Sequence, residues 1–275
     1  MSGTTAPAPV GPRGVRIVSH SMLFYWWPVW AVGFLMAALT YFSPSRLAIV
    51  PEGTEPVESV NIPEFGTRSA LVLPPGKELP VDSATGKPMQ PKLRIAPRSG
   101  PGVMFEATLL LVIFITNVPI RGLASVVAIL AIILLVVVLS LFDVWEAILE
   151  MLTHSRIYIN AFGYLAVSVP LFVLWLVFIL FVDRQVYMVF APGQLRVHQN
   201  IGGGEAAYDT MGMVVTKQRS DLFRHWILGL GSGDIVVKTA GAGGREFQMP
   251  SVLFVGSKVK AIQQVIQTRE VVAGR

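Results

Sequence analysis

The sequence predicts an α-helical transmembrane region of three or four spans, followed by a β-rich C-terminal barrel or sandwich plugged by one helix. Residues 21–42, 123–142 and 164–182 are apolar runs without an interior charge. Each is close to the ~20 residues that a helix needs to cross a ~30 Å hydrocarbon core. From residue 183 onward the composition changes to short alternating strands, Gly-rich turns and a final amphipathic helix. The whole chain of 275 residues is 53% hydrophobic and only 14% charged, against about 25% charged in an average soluble domain, which favours a membrane protein.

The domains follow in order. Residues 1–20 are expected to be disordered: residues 1–14 are rich in Pro, Ala, Thr and Gly, and Arg13, Arg16 and His20 then precede the first span. That basic stretch resembles a signal peptide's start. The apolar run that follows is longer than a signal peptide's apolar core and has no clear cleavage site, so it reads as an uncleaved anchor. Residues 21–42 carry Phe24, Tyr25, Trp26, Trp27 and Trp30 near one end and Tyr41 and Phe42 at the other, as interfacial aromatic belts do. Pro28 falls in the first turns, where it costs least.

Residues 43–102 form a polar, Pro-rich loop or small β domain, with short β-like stretches at 47–50, 69–73 and 92–96. Residues 103–118 are ambiguous: as a helix they reach about 24 Å at ~1.5 Å per residue, short for a full span. Asn117, Pro119, Arg121 and Gly122 then make a turn signal before the span 123–142. Residues 143–153 have amphipathic spacing and are expected to lie along the interface, or to extend the preceding helix. The span 164–182 stops at Asp183 and Arg184. Strands are expected at 185–191 and 194–199 around a Pro192-Gly193 turn, then at 206–217, 234–239 and 245–249, and a helix at 257–269 capped by Ser257.

With the C-terminal domain in the cytoplasm, the acidic segment 143–150 is external and Arg121 internal, in line with the positive-inside rule. Two topologies then stay open. Four spans put the N-terminus inside and residues 43–102 outside, favoured by Arg13 and Arg16. Three spans keep residues 43–118 inside, favoured by Lys92, Arg94 and Arg98.

Several motifs invite chemistry and fail on spacing. The run Gly229, Leu230, Gly231, Ser232, Gly233 lacks the spacing of a dinucleotide loop, and Lys87 is followed by Pro88 rather than Ser or Thr. Ser220, Asp221 and His225 stand close in sequence, but no nucleophile elbow accompanies them; Asp221 reads better as a turn cap or a partner of Arg224. The four histidines show no metal-ligand spacing, the chain has no cysteine, and no metal or cofactor is expected. Glu106 is the one acid within an apolar segment, at its edge. The net charge of +5 suits anionic headgroups, and no basic run with interleaved aromatics points to nucleic acid.

The order Asp183-Arg184-Gln185-Val186-Tyr187, then Lys217 to Ser220, then Leu228 to Ile235, a Gly-rich hairpin, and Pro250-Ser251-Val252 before the last helix resembles bacterial pleckstrin-homology-like domains that follow transmembrane helices. The resemblance covers the last 90 or so residues. It implies a seven-stranded barrel with a helix capping one end and a non-enzymatic role, and it supplies no ligand. The turn at Gly231 to Asp234 is one residue longer than the family's simplest form.

The expected function is a membrane-anchored interaction module, or scaffold, in a bacterial inner membrane. Its cytoplasmic domain meets a protein partner or anionic lipid headgroups. Lys217, Arg219, Arg224 and Trp226 are the candidate contact, since Trp and Arg dominate interface energies. A component of a transport or channel complex is the alternative. Oligomeric state is not legible.

Overall fold

The computed structural model describes residues 14–64, 66–118, 122–198, 204–218, 221–240 and 244–273. Among them, four helices are long and apolar enough to cross a bilayer: Met22–Tyr41, Gly100–Asn117, Leu123–Leu141 and Ala161–Gln185. The chain is a membrane protein with a separate β-rich region.

The chain opens with a strand, β1 (Val15–Val18). The expectation of disorder over residues 1–20 does not hold for this strand, and residues 1–13 lie outside the described residues. Four residues reading Val-Arg-Ile-Val carry no signal alone, because a strand this short is stable only against a partner. The partner lies some 170 residues away, in β6 (Tyr187–Ala191), where Val15 pairs with Phe190 and Val18 with Tyr187.

After a short helical turn, Met22–Trp26, α1 (Trp27–Tyr41) begins with Pro28 in its first turn. It buries Val29, Gly33, Met36, Ala37 and Thr40, which recur at helical spacing and form one face. That face packs against α2 (Gly100–Asn117) and α5 (Ala161–Val177). Gly33 permits the close approach: a Cβ there would meet Phe105 at 2.9 Å as well as Ser168. Trp30 packs edge-on to Phe172 and Trp175, at 4.9 and 5.2 Å between ring centres.

Between α1 and α2 lie β2 (Arg46–Leu47), β3 (Glu55–Ile62), β4 (Gly66–Val72) and β5 (Leu93–Arg94). They make two separate two-stranded ladders, β2 with β5 and β3 with β4. Arg94 stacks on the Tyr41 ring and donates to the Tyr41 carbonyl, and Ile95 bridges to Asn160 at the head of α5. These contacts gather the last turn of α1, the first turn of α5 and the loop ladders at one end of the bundle. The β-rich domain joins the other end, at the start of α1 and the end of α5. The N-terminal strand lies with that domain, so residues 43–98 and the chain's first strand sit at opposite ends. That arrangement requires the segment 103–118 to run the length of the bundle, and α2 does so for 18 residues.

The third apolar helix, α3 (Leu123–Leu141), buries only Ser125 among its described residues. Such all-round hydrophobicity without protein packing is the pattern of a lipid-facing helix. α4 (Val144–His154) follows Asp143 and is amphipathic, at the position expected for an interfacial helix.

Beyond Asp183 the chain enters a four-stranded antiparallel sheet, in the order β1, β6, β7 (Gln194–His198), β8 (Ala206–Asp209). A three-stranded sheet follows, with β10 (Gly233–Lys238) between β9 (Val214–Gln218) and β11 (Glu246–Val252). The single strand expected over 206–217 is broken in two. Asp209 accepts from the Met211 N–H at 2.9 Å, and Gly212 adopts φ +68°, so the chain turns and β9 joins the other sheet. The two sheets and α6 (Val255–Ala273) share one core. Met188 and Phe190, Leu195 and Val197, and Ile235 and Val237 alternate inward with the strand period. The sheets are open, and among the described residues no ladder joins β8 to β9 or β1 to β11.

Ile17 of β1 is 1% exposed in this core. Ile17→Ala is expected to cost about 2–5 kcal/mol. The readout is thermal unfolding of the β-domain in detergent, together with new protease cleavage after residue 183. An unchanged melting temperature would show that β1 is not part of the domain's core.

Candidate functional site

The junction between α1 and the β-domain concentrates the polar side chains. A short π-helical turn, Phe223–Leu228, lies there between β9 and β10. Asp221 starts it by accepting from the Arg224 N–H at 2.9 Å, as an N-terminal cap does. Its other oxygen lies 3.6 Å from Arg224 Nε. The reading of Asp221 as turn cap and partner of Arg224 therefore describes its geometry.

Arg224 is buried. Its guanidinium sits between Asp221 and Asp234, with Nη2 3.8 Å from Asp234, and Nη1 reaches the Met22 sulfur. It is not the exposed contact residue expected from sequence. A buried cation needs carboxylates around it, and folding supplies two. Trp226, two positions on, is 74% exposed, beside the exposed Ile227 and Leu230. With Ile129, Ile132 and Ile133 of α3 it lines an entirely apolar hollow of about 500 Å³. Lys217 is exposed on β9, and its ammonium lies near Gly256 at the start of α6. Arg219 lies outside the described residues. The three described positions thus do not form a single surface: one is buried, one faces an apolar hollow, and one stands on a strand edge.

The residues that folding does bring together were not grouped by the sequence. Tyr25, fully buried, donates to Ser251 Oγ at 2.9 Å and lies 3.2 Å from Ser232 Oγ and 3.3 Å from His225 Nδ1. Ser232 Oγ is 3.0 Å from the same His225 nitrogen. The far nitrogen of His225 lies 3.5 Å from Asp234, whose carboxylate also accepts from the Ser251 N–H. Burial pushes the Asp234 carboxyl up, but His225, the Ser251 N–H and Arg224 outweigh it and hold the carboxyl below its ordinary range. The only advance signal was the aromatic run at the head of the first span, which reads equally well as an interfacial belt.

Ser232, His225 and Asp234 have the connectivity of a nucleophile, base and orienting carboxylate. Their setting is that of a structural network. Ser232 is 0% exposed and shares its hydroxyl with Tyr25, so a substrate carbonyl reaches it only if α1 leaves the domain. The glycine run serves this packing. A Cβ at Gly229 would lie 2.9 Å from the Tyr25 ring and 2.8 Å from the Arg224 carbonyl, and Gly231 takes φ +82°.

A second set of contacts fixes the chain just before α1. Ser19 Oγ donates to the Pro250 carbonyl at 2.8 Å, and His20 Nδ1 lies 3.1 Å from the Ser251 carbonyl. The Ser21 N–H donates to Asp183. Trp27 Nε1 donates to the Leu228 carbonyl at 2.8 Å, and Trp175 Nε1 to the Phe24 carbonyl. Glu106 is exposed near the start of α2 and belongs to neither set. Among the described residues, no group of three or more His, Asp or Glu is placed to hold a metal ion.

Tyr25→Phe keeps the ring and removes the shared hydroxyl. It is expected to cost about 1–3 kcal/mol, because Ser251, Ser232 and His225 lose a buried partner. Detergent-phase thermal denaturation measures it, and no loss would mean that the hydroxyls satisfy one another without Tyr25. The pH dependence follows from His20, whose pKa burial lowers below 6.5 against the opposing pull of Asp183 and the Ser251 carbonyl. The unfolded chain then takes up the proton first, so stability held above pH 6.5 is lost as pH falls from there toward the folded-state pKa. His20→Gln should flatten this part of a melting-temperature profile; an unaltered slope would assign the effect elsewhere. In comparisons with known proteins, the chain matches no family model, no curated protein and no solved structure.

Proposed function

We propose that this protein is a membrane-anchored, non-enzymatic interaction module that presents a pleckstrin-homology-like domain to a protein partner at the cytoplasmic face of a bacterial inner membrane. One observation carries the reading. The β-domain does not hang from the last span on a linker; it is held by the first span as well as by the last. β1 enters its sheet from ahead of the first span, and Tyr25, Trp27 and Ser21 tie the start of α1 to it. A domain fixed in this way offers the same surfaces in the same orientation to every partner, which lowers the ordering cost of docking.

Sheets of four and three strands that share a core with a C-terminal helix support the pleckstrin-homology-like reading, although the seventh strand, β1, comes from ahead of the first span and not from the last 90 residues. Arg16 and Arg184 flank the spans at the domain's end, and the acidic Asp143, Glu146 and Glu150 fall at the other, which supports a cytoplasmic domain. The partner surface is the open side. β8 pairs only with β7 and β9 only with β10 among the described residues, and an unpaired edge is a template for a strand from another chain. Lys217 stands on that edge. Trp226 and Ile227 belong instead to the bilayer side, because they face the apolar hollow against α3. A channel role has less support: in the packed faces of α1 and α5 the buried side chains outside the junction that carry a polar group are Thr40, Tyr164 and Ser168, and none is an acid, lysine, arginine or histidine.

The absence of cysteine makes the test direct. Single cysteines at Ser83 and Gln248 are exposed to an impermeant thiol reagent in intact cells. Labelling at Ser83 and protection at Gln248 until lysis is the expected result. Labelling at Gln248 in intact cells puts the domain outside and overturns the reading; protection at both removes the four-span topology. A photo-crosslinking residue at Lys217 should also give a discrete protein adduct that the same residue at Lys238, on the central strand β10, does not.

A further inference from the structure

A cleft of about 270 Å³ opens where β1, the end of α5 and the start of α6 meet. Arg16, His20, Arg184 and Lys258 line it together with Ile179 and Leu253. We propose that this cleft binds the phosphate of an anionic glycerophospholipid from the leaflet on the domain's side, and so fastens the domain to its own bilayer. The inference rests on the reading that the four helices cross a membrane, and it adds a lipid site distinct from the strand edge assigned to a protein partner.

The charge is uncompensated. The lining contains no acid, and none of Arg16, Arg184 and Lys258 is in an ion pair among the described residues. Asp183, next to Arg184 in sequence, is 3% exposed and receives the Ser21 N–H, so it faces the protein. Arg16 is positioned without a carboxylate: its guanidinium lies 4.0 Å over the Tyr187 ring and donates to the Arg184 carbonyl at 2.9 Å. Its charge and its other N–H groups are left for a ligand. Guanidinium forks match phosphate oxygens, and Lys258 adds a point charge.

The position selects a lipid over a soluble anion. Ile179 belongs to the candidate span Ala161–Gln185, whereas Arg184, Lys258 and Arg16 stand beyond its apolar part. The cleft therefore spans the level where headgroups meet acyl chains. Val173, Leu174 and Val177, two to six residues before Ile179 along the same helix, are exposed and offer apolar surface to acyl chains. A zwitterionic headgroup would bring its own ammonium among three cations with no acid to receive it, which disfavours it.

The test uses the full-length protein in neutral detergent, titrated with phosphatidylglycerol, phosphatidylcholine or inorganic phosphate and read by native mass spectrometry and melting temperature. Phosphatidylglycerol is expected to give retained adducts and a higher melting temperature, and the other two neither. Arg184→Gln with Lys258→Gln should weaken phosphatidylglycerol retention by about tenfold or more. Lys77→Gln with Lys238→Gln, both exposed and outside the cleft, should leave it unchanged. Equal retention of the two lipids, or full retention by the cleft variant, overturns the proposal. Stabilisation by inorganic phosphate alone to the same extent makes the cleft a soluble-anion site and overturns it as well. The measurement needs no knowledge of sidedness, so a reversed labelling pattern at Ser83 and Gln248 would sink the proposed topology and leave this result to stand or fall by itself.

Discussion

The arrangement depends on the burial of a short strand encoded ahead of the first membrane helix. Ile17 fills a place in the core that no other part of the chain supplies, between Met188 and Phe190 of one sheet and the strands of the other. Burying one such side chain is worth about 1.5–3 kcal/mol. The consequence is larger than the energy. With β1 in the sheet, the start of α1 is brought to the domain, and the end of α5 is already there. Both helices that flank the domain then have fixed positions against it.

Polar groups make that junction specific. Apolar packing of Phe24, Val29 and Leu228 would tolerate rotation of α1 against the domain. The Tyr25 hydroxyl does not, because it must find Ser251, Ser232 and His225 together or remain buried without a partner. The same cost explains the unusual backbone nearby. Ser251 and Leu230 take φ of +55° and +50°, which non-glycine residues avoid, and the network around Asp234 holds Ser251 in place. Arg224 contributes from beneath. It is a buried charge with two carboxylates, so removing either acid leaves it poorly compensated.

Within the membrane the helices divide into two kinds. α1, α2 and α5 pack through a small-residue contact at Gly33 and an aromatic cluster around Trp30, as expected where lipid offers no hydrophobic drive for association. α3 buries only Ser125 among the described residues, and it faces the domain across the apolar hollow under Trp226. The exposed Trp226 and the basic cleft around Arg16 are then two aspects of one seat, one facing acyl chains and the other headgroups.

The sequence by itself determined the membrane class and most of the elements. The spans 21–42, 123–142 and 164–182 were legible because uninterrupted apolarity over about 20 residues has a single physical meaning. The hairpin at Pro192-Gly193 and the closing helix were legible because turn residues and helical periodicity are local signals. Tertiary structure decided what is non-local. β1 carries no signal until β6 is beside it, and a single stretch at 206–217 becomes two strands only because Gly212 and Asp209 turn it between sheets. The candidate site shows the same limit more sharply. Arg224 and Trp226 were singled out by residue type, but type does not say which of two neighbours faces inward. Tyr25 meets His225 and Ser232 across 200 and 207 positions of the chain, and no pattern along the chain records a contact of that kind.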